Sequence, residues 1–202
     1  KKDFHHLQEV INQGMPVVLF DIFSNVILCD KVIIDDQLAA YEATNFLISK
    51  GLKKIALLTT VDYVSVGKLR TDGYLNVLHD HGIEVDESLI IRIEDTEHCD
   101  EKINELLENK SVDAILAVNE LFAVTAIKLA MAKGIKIPED LSVVSFTDGI
   151  ISKYSTPTIT TISQNGFVSR RFKHFSCKGK QFINPFLHSS MAFRCSISQS
   201  NY

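Results

Sequence analysis

Arg70, in the run Leu69-Arg70-Thr71-Asp72-Gly73-Tyr74, brings a guanidinium fork that can donate two parallel hydrogen bonds to vicinal hydroxyls or to a carboxylate. Read alone, it is also an ordinary surface arginine near the start of a helix. Asn119 follows the apolar run Ala114-Ile115-Leu116-Ala117-Val118, and its amide can both donate to and accept from a hydroxyl. It is equally placed to cap the helix that begins there. Thr147 and Asp148 follow the run Leu141 to Phe146, and either could face a ligand while the other shapes a turn. Glu94 and Asp95 end another apolar run and can accept hydroxyl protons or form a solvated acidic loop. Asp21 closes Val17-Val18-Leu19-Phe20 and could hold one side of a cleft or begin a turn. Such a set can bind hydroxyls or carboxylates through hydrogen bonds.

Catalytic arrangements are missing from the sequence. Gly-x-Ser-x-Gly, His-Glu-x-x-His and the phosphate-loop lysine motif do not occur, and no Gly-x-Gly-x-x-Gly follows a strand. His79 and His81 flank Asp80 at a spacing that turns them to different helix faces. Cys29, Cys99, Cys177 and Cys195 show neither CxxC spacing nor a paired histidine cluster, so isolated thiols of a reducing compartment are expected. No metal and no cofactor are expected, and the chain reads as a binding module rather than an enzyme.

The elements that must position these residues alternate. Phe4, Leu7, Val10 and Ile11 recur at helical spacing before Gly14. Strands are predicted at Pro16 to Asp21, Val32 to Ile34, Ile55 to Leu58, Leu89 to Ile91, Ala114 to Val118 and Leu141 to Phe146. Helices are predicted between them, with Asp35 or Asp36 as a cap and with Gly51, Gly82 and Gly134 as stops. A further strand is predicted over Thr158 to Ile162. This rhythm implies an α/β fold, a parallel sheet with helices on both faces. Ligands of such sheets sit beyond the carboxyl ends of the strands, which is where the candidate residues fall. The strands from Val32, Ile55, Leu89, Ala114 and Leu141 are expected in one sheet.

Composition is ordinary for a globular chain of 202 residues, 46% hydrophobic and 23% charged. No run approaches the roughly 18 apolar residues that span a bilayer, and no secretory leader is visible, so a cytoplasmic location is expected. The missing initiator Met leaves room for an upstream start. Charge divides the chain sharply. All 25 acidic residues lie at or before Asp148, whereas residues 167–202 carry six lysines or arginines and no acid. That segment also loses periodicity, which marks a separate basic tail, either a genuine extension or the product of a frame disruption.

Three stretches resemble the lactose-repressor/galactose-repressor (LacI/GalR) family. They are Gly14 to Asp21 with Val32 to Asp36 and Gly51 to Ala56; Leu69 to Tyr74 with Gly82-Ile83; and Asp113 to Glu120 with Gly134 to Phe146 and Pro157 to Gln164. Their order and spacing over about residues 14–166 carry the resemblance. It implies a periplasmic-binding-protein-like fold of type I, two lobes with an effector between them. On that analogy residues 1–31 end the N-terminal lobe, 32–150 form the C-terminal lobe, and 151–166 cross back.

The resemblance further implies that Arg70 matches the effector-contacting arginine of Arg-x-x-Gly-Tyr/Phe, expected near a cleft mouth. The family's aspartate directly after the aromatic residue is displaced here, with Thr147 in its place and Asp148 next. The effector class implied is a sugar or sugar derivative. The intact parent is expected to be a homodimer that meets DNA only through a headpiece outside these residues, with no membrane role. A periplasmic sugar-binding protein of the same fold is the alternative, and an α/β enzyme a more distant one.

Overall fold

A computed structural model describes residues 5–20, 27–61, 65–95, 99–109, 111–163 and 181–183. The described residues divide into two compact units, one formed within residues 36–163 and the other by those of residues 5–35 with 181–183.

The larger unit holds a five-stranded parallel sheet. Its strands are β3 (Ile55–Thr60), β4 (Ile90–Ile93), β5 (Ala114–Ala117), β6 (Ser142–Phe146) and β7 (Thr160–Ile162), in the order β4-β3-β5-β6-β7. The central strands are buried on both faces. Ile55 to Leu58 and Ala114 to Val118 are all buried, as the unbroken apolar runs of a covered parallel sheet require. Helices α2 (Asp36–Ser49) and α3 (Ser65–Asp80) pack together, as do α4 (Cys99–Asn109) and α5 (Glu120–Ala132). From β3 the chain passes through α3 outward to β4, and from β5 through α5 the other way to β6. Right-handed crossovers in opposite directions put α3 and α5 on opposite faces of the sheet. The reversal lies between β3 and β5, so a crevice opens at their carboxyl ends.

The opposite, amino end is made of tight turns. Gly51, Gly82 and Gly134 have φ of 85°, 64° and 78°, which stops α2, α3 and α5 in the left-handed conformation that favours glycine. Asp113 accepts from the backbone N–H groups of Lys53 and Lys54 at 3.0 and 2.9 Å, and Asp140 accepts from that of Lys136 at 2.9 Å.

The smaller unit has α1 (His5–Asn12) and a parallel sheet of β1 (Val18–Phe20), β2 (Asp30–Ile33) and β8 (Gln181–Ile183), in the order β1-β2-β8. Two expectations are corrected here. The Val32 strand belongs to this sheet and pairs with the Val18 strand, so the strands expected in one sheet are split between two, and the larger unit begins at Asp36. The physical reason is that β2 finds its partner in the strand immediately before it, and the chain leaves for the larger unit only with α2. Residues 151–163, expected to cross back, stay with the larger unit as α6 (Ile150–Tyr154) and β7, which pairs in parallel with β6. The predicted strand at Leu89 starts one residue later, after a 3-10 turn over Glu87–Leu89 capped by Asp86. Apart from β8, the basic tail lies outside the described residues.

Helix α3 is fixed by contact at both ends of its middle turn. A Cβ on Gly67 would stand 2.0 Å from the Thr60 hydroxyl oxygen; one on Gly73 would stand 2.1 Å from the Gln37 carbonyl oxygen and 2.9 Å from the Tyr41 nitrogen. Tyr74 is buried and donates its hydroxyl to the Ile55 carbonyl at 2.8 Å, and burial pushes its phenol pKa well up. On propensity alone Gly73→Ala would stabilise α3 by about 1 kcal/mol. Overpacking against a backbone carbonyl costs about 1–3 kcal/mol and should win. Urea unfolding is expected to show a lower midpoint for Gly73→Ala; an unchanged or higher one would mean that α2 separates freely from α3.

Candidate functional site

Arg70 lies in α3 between the two close-contact glycines, and its side chain crosses the carboxyl ends of β5 and β6. Nε donates to Asp36 Oδ1 at 2.8 Å and Nη2 lies 2.7 Å from the same oxygen, within an ion pair whose side chains are 6% and 5% exposed. Nη1 donates to the Val118 carbonyl at 2.6 Å, and the guanidinium carbon sits 3.8 Å from the centre of the Phe146 ring. The group is therefore stacked, bonded and ion-paired at once. This corrects the reading of Arg70 as an ordinary surface residue: it is buried at the ends of β5 and β6 and bonded to the protein's own groups.

Asn119 has extended backbone, φ −154° and ψ 163°, and its Oδ1 accepts from the Phe122 N–H at 2.9 Å. It is the N-cap of α5. The cap uses only the oxygen, and no described residue accepts from the amide nitrogen.

The turn after β6 is built by Glu120, a strand-end residue beside Asn119. Glu120 Oε1 accepts from the Ser152 N–H at 3.0 Å and from the Ser152 hydroxyl, closing the first turn of α6. A Cβ on Gly149 would lie 2.3 Å from this carboxylate, so any other residue here would push the Glu120 side chain aside. Thr147 is half-buried, and its carbonyl accepts from the Ser152 hydroxyl at 3.0 Å. Asp148 is exposed and accepts from the Ser163 hydroxyl through Oδ2 at 2.8 Å.

Arg70, Asn119, Thr147 and Asp148 thus come together at the ends of two adjacent strands. Glu94 and Asp95 do not join them. Both are exposed beyond β4, three strand spacings from β6, about 14 Å across the sheet. Asp21 lies outside the described residues. Asp36 and Phe146 are the site residues that were missed as such, and Glu120, though a strand-end residue, was given no role. Asp36 had no signal in the sequence, because a buried arginine requires a carboxylate but nothing there shows Arg70 to be buried.

Elsewhere His79 is exposed, His81 meets Asn45 and Asp80 accepts from Tyr41, all away from these strand ends. Among the described residues no group of His, Cys, Asp and Glu is arranged to hold a metal, and no helix is long and apolar enough to cross a membrane.

Removing one partner of a buried ion pair leaves the other charge uncompensated, at a cost of about 3–5 kcal/mol. Arg70→Ala and Asp36→Ala should each destabilise the larger unit by that order, and the double variant by clearly less than the sum. Asn119→Ala should cost about 1 kcal/mol through the lost cap. Chemical denaturation of the four proteins measures all of this; additive losses at positions 36 and 70 would show that the pair is not energetically coupled.

Residues 44–166 match a family described as periplasmic binding protein-like domain. The HTH-type transcriptional regulator DegA of Bacillus subtilis is 32% identical over 159 residues, 78% of this chain and 47% of that protein. HTH-type transcriptional regulator MalR of Clostridium butyricum is 37% identical over 133 residues, 65% of this chain and 40% of that protein. The chain spans about half the length, or less, of these curated relatives. Among solved structures, the transcription regulator CcpA of Lactococcus lactis superposes with a TM-score of 0.76 at 28% identity, covering 90% of this chain and 71% of that one. By family profile, relatives and fold, this chain belongs to the periplasmic binding protein-like family, as a domain of the kind found in LacI-type transcriptional regulators.

Proposed function

We propose that the chain is the effector-sensing part of a LacI-type regulator, not an enzyme, and that its effector is a carbohydrate held at the carboxyl ends of β5 and β6. The observation that carries this reading is the convergence of Arg70, Asn119, Thr147 and Asp148 at a topological switch point, with the Asn119 amide nitrogen and the exposed Asp148 carboxylate left to meet hydroxyls. One protein of this fold, CelR, was solved as a cellobiose complex; it superposes with a TM-score of 0.75 at 25% identity, covering 88% of this chain and 58% of that one. In the whole protein, effector binding biases the DNA-binding state, a coupling of free energies between two sites. DNA is met through a headpiece outside these residues, in the cytoplasm, by a homodimer. Supporting self-association, Ile150, Ile151 and Tyr154 of α6 are 76%, 42% and 75% exposed, an apolar face on a short helix.

Calorimetric titration with a sugar panel that includes cellobiose tests the site. For a sugar that binds the wild-type chain, Asn119→Ala and Asp148→Ala should each weaken affinity by about tenfold, the equivalent of one hydrogen bond of about 1.4 kcal/mol. Unchanged affinity in both would move the site elsewhere. Sedimentation of the chain should give a dimer that Ile150→Glu with Tyr154→Glu dissociates; an unchanged sedimentation coefficient would remove α6 from the interface.

A further inference from the structure

We propose that the effector carries no anionic group: this face admits neutral or amine-bearing sugars and rejects phosphorylated ones, because Asp36 cancels the charge of Arg70 in place. The inference rests on the reading of this face as the effector site, and it names the charge class of the ligand.

Arg70 would be the natural anchor for a phosphate, and it is already committed. Two of its five N–H groups point at Asp36 Oδ1 and a third at the Val118 carbonyl, so at most two remain for anything else. The pair is buried and together carries no net charge, so an incoming anion meets a compensated group rather than a bare cation.

Helix N-termini are the other ready sites for anions. At the starts of α5 and α6 the protein's own side-chain oxygens already take one of these N–H groups each. Asn119 Oδ1 takes the Phe122 N–H at the start of α5, and Glu120 Oε1 takes the Ser152 N–H in the first turn of α6.

The segments that follow the strands have the wrong sign as well. Among the described residues just after the strands, 61, 94–95, 118–120 and 147–149, Glu94, Asp95, Glu120 and Asp148 are acidic and none is a lysine or arginine. Among these, Glu94, Asp95 and Asp148 are exposed. The nearest cation along the chain, Arg92, is ion-paired with Glu87 at 3.5 Å, and Lys68, exposed in the first turn of α3, stands against several carboxylates. A sugar hydroxyl can donate to those oxygens. A phosphate ester has nothing to donate and two charges to bring near them.

The test is calorimetric titration of the whole chain with inorganic phosphate, glucose 6-phosphate, glucose, glucosamine and cellobiose, in the wild type, Arg70→Lys and Asp36→Asn. The wild type is expected to show no saturable binding of either phosphate probe. Asp36→Asn keeps an acceptor but uncovers the charge of Arg70, and should bind inorganic phosphate at least about tenfold more tightly than the wild type, an effect suppressed by salt. Circular dichroism checks its fold. If it does not fold, Asp148→Asn, which removes the exposed carboxylate at the end of β6, takes its place, with the same expected direction. Phosphate or glucose 6-phosphate binding by the wild type that weakens in Arg70→Lys overturns the proposal, as does a folded Asp36→Asn protein, or the substitute, that gains nothing. The three unphosphorylated sugars judge a different point: if none binds while the phosphate arm behaves as expected, the sugar reading fails and the exclusion of anions stands.

Discussion

The buried pair of Asp36 and Arg70 ties together four elements that share no sequence neighbourhood. Asp36 starts α2, Arg70 belongs to α3, Val118 ends the β5 run and Phe146 ends β6. A charged pair gains little net stability over an apolar contact of equal size, because both ions must leave water. What it gains is position. An apolar contact tolerates sliding, whereas a guanidinium bonded in its plane to a carboxylate and a carbonyl, with a ring against its face, has one orientation.

That constraint orders the rest of the larger unit. For Arg70 to reach Val118, α3 must lie close to both β3 and α2, and Gly67 and Gly73 provide that closeness by having no side chain. Tyr74 then fixes the height of the helix through the Ile55 carbonyl. The motif Arg-Thr-Asp-Gly-Tyr is thus a packing instruction as much as a chemical one: the arginine is aimed, the glycine permits approach, and the tyrosine sets register along the strand. Thr71 adds a buried bond to the Gly67 carbonyl at 2.8 Å and lies 3.1 Å from the Thr59 hydroxyl.

The alternation of strand and helix was legible because the core strands are continuous apolar runs with glycines at fixed places after the helices. Asn119 was legible as a cap because it stands between such a run and a helix. Burial of Arg70 was not legible, since an arginine in an amphipathic helix looks alike whether it faces water or a carboxylate 34 positions earlier. The role of Glu120 was hidden for a similar reason: its partner Ser152 lies 32 residues on, and nothing local distinguishes it from a first-turn acid. The placement of β2 failed for another reason. A short apolar run followed by a helix reads the same whether the strand closes one sheet or opens the next, and only its partner decides.

The glycine-stopped turns at the amino end of the sheet divide the larger unit into two kinds of material. At that end the chain reverses through left-handed glycines and side-chain carboxylates bonded to backbone, where each position has a stereochemical duty and little freedom to drift. At the carboxyl end the segments are richer in Asp, Glu, Thr and Tyr and answer to whatever molecule they meet. Sequence change is therefore unequally tolerated along the strand axis. Descendants of such a chain can exchange one recognised molecule for another by altering one rim of the sheet, while the other rim keeps the strands in register and carries no record of the change.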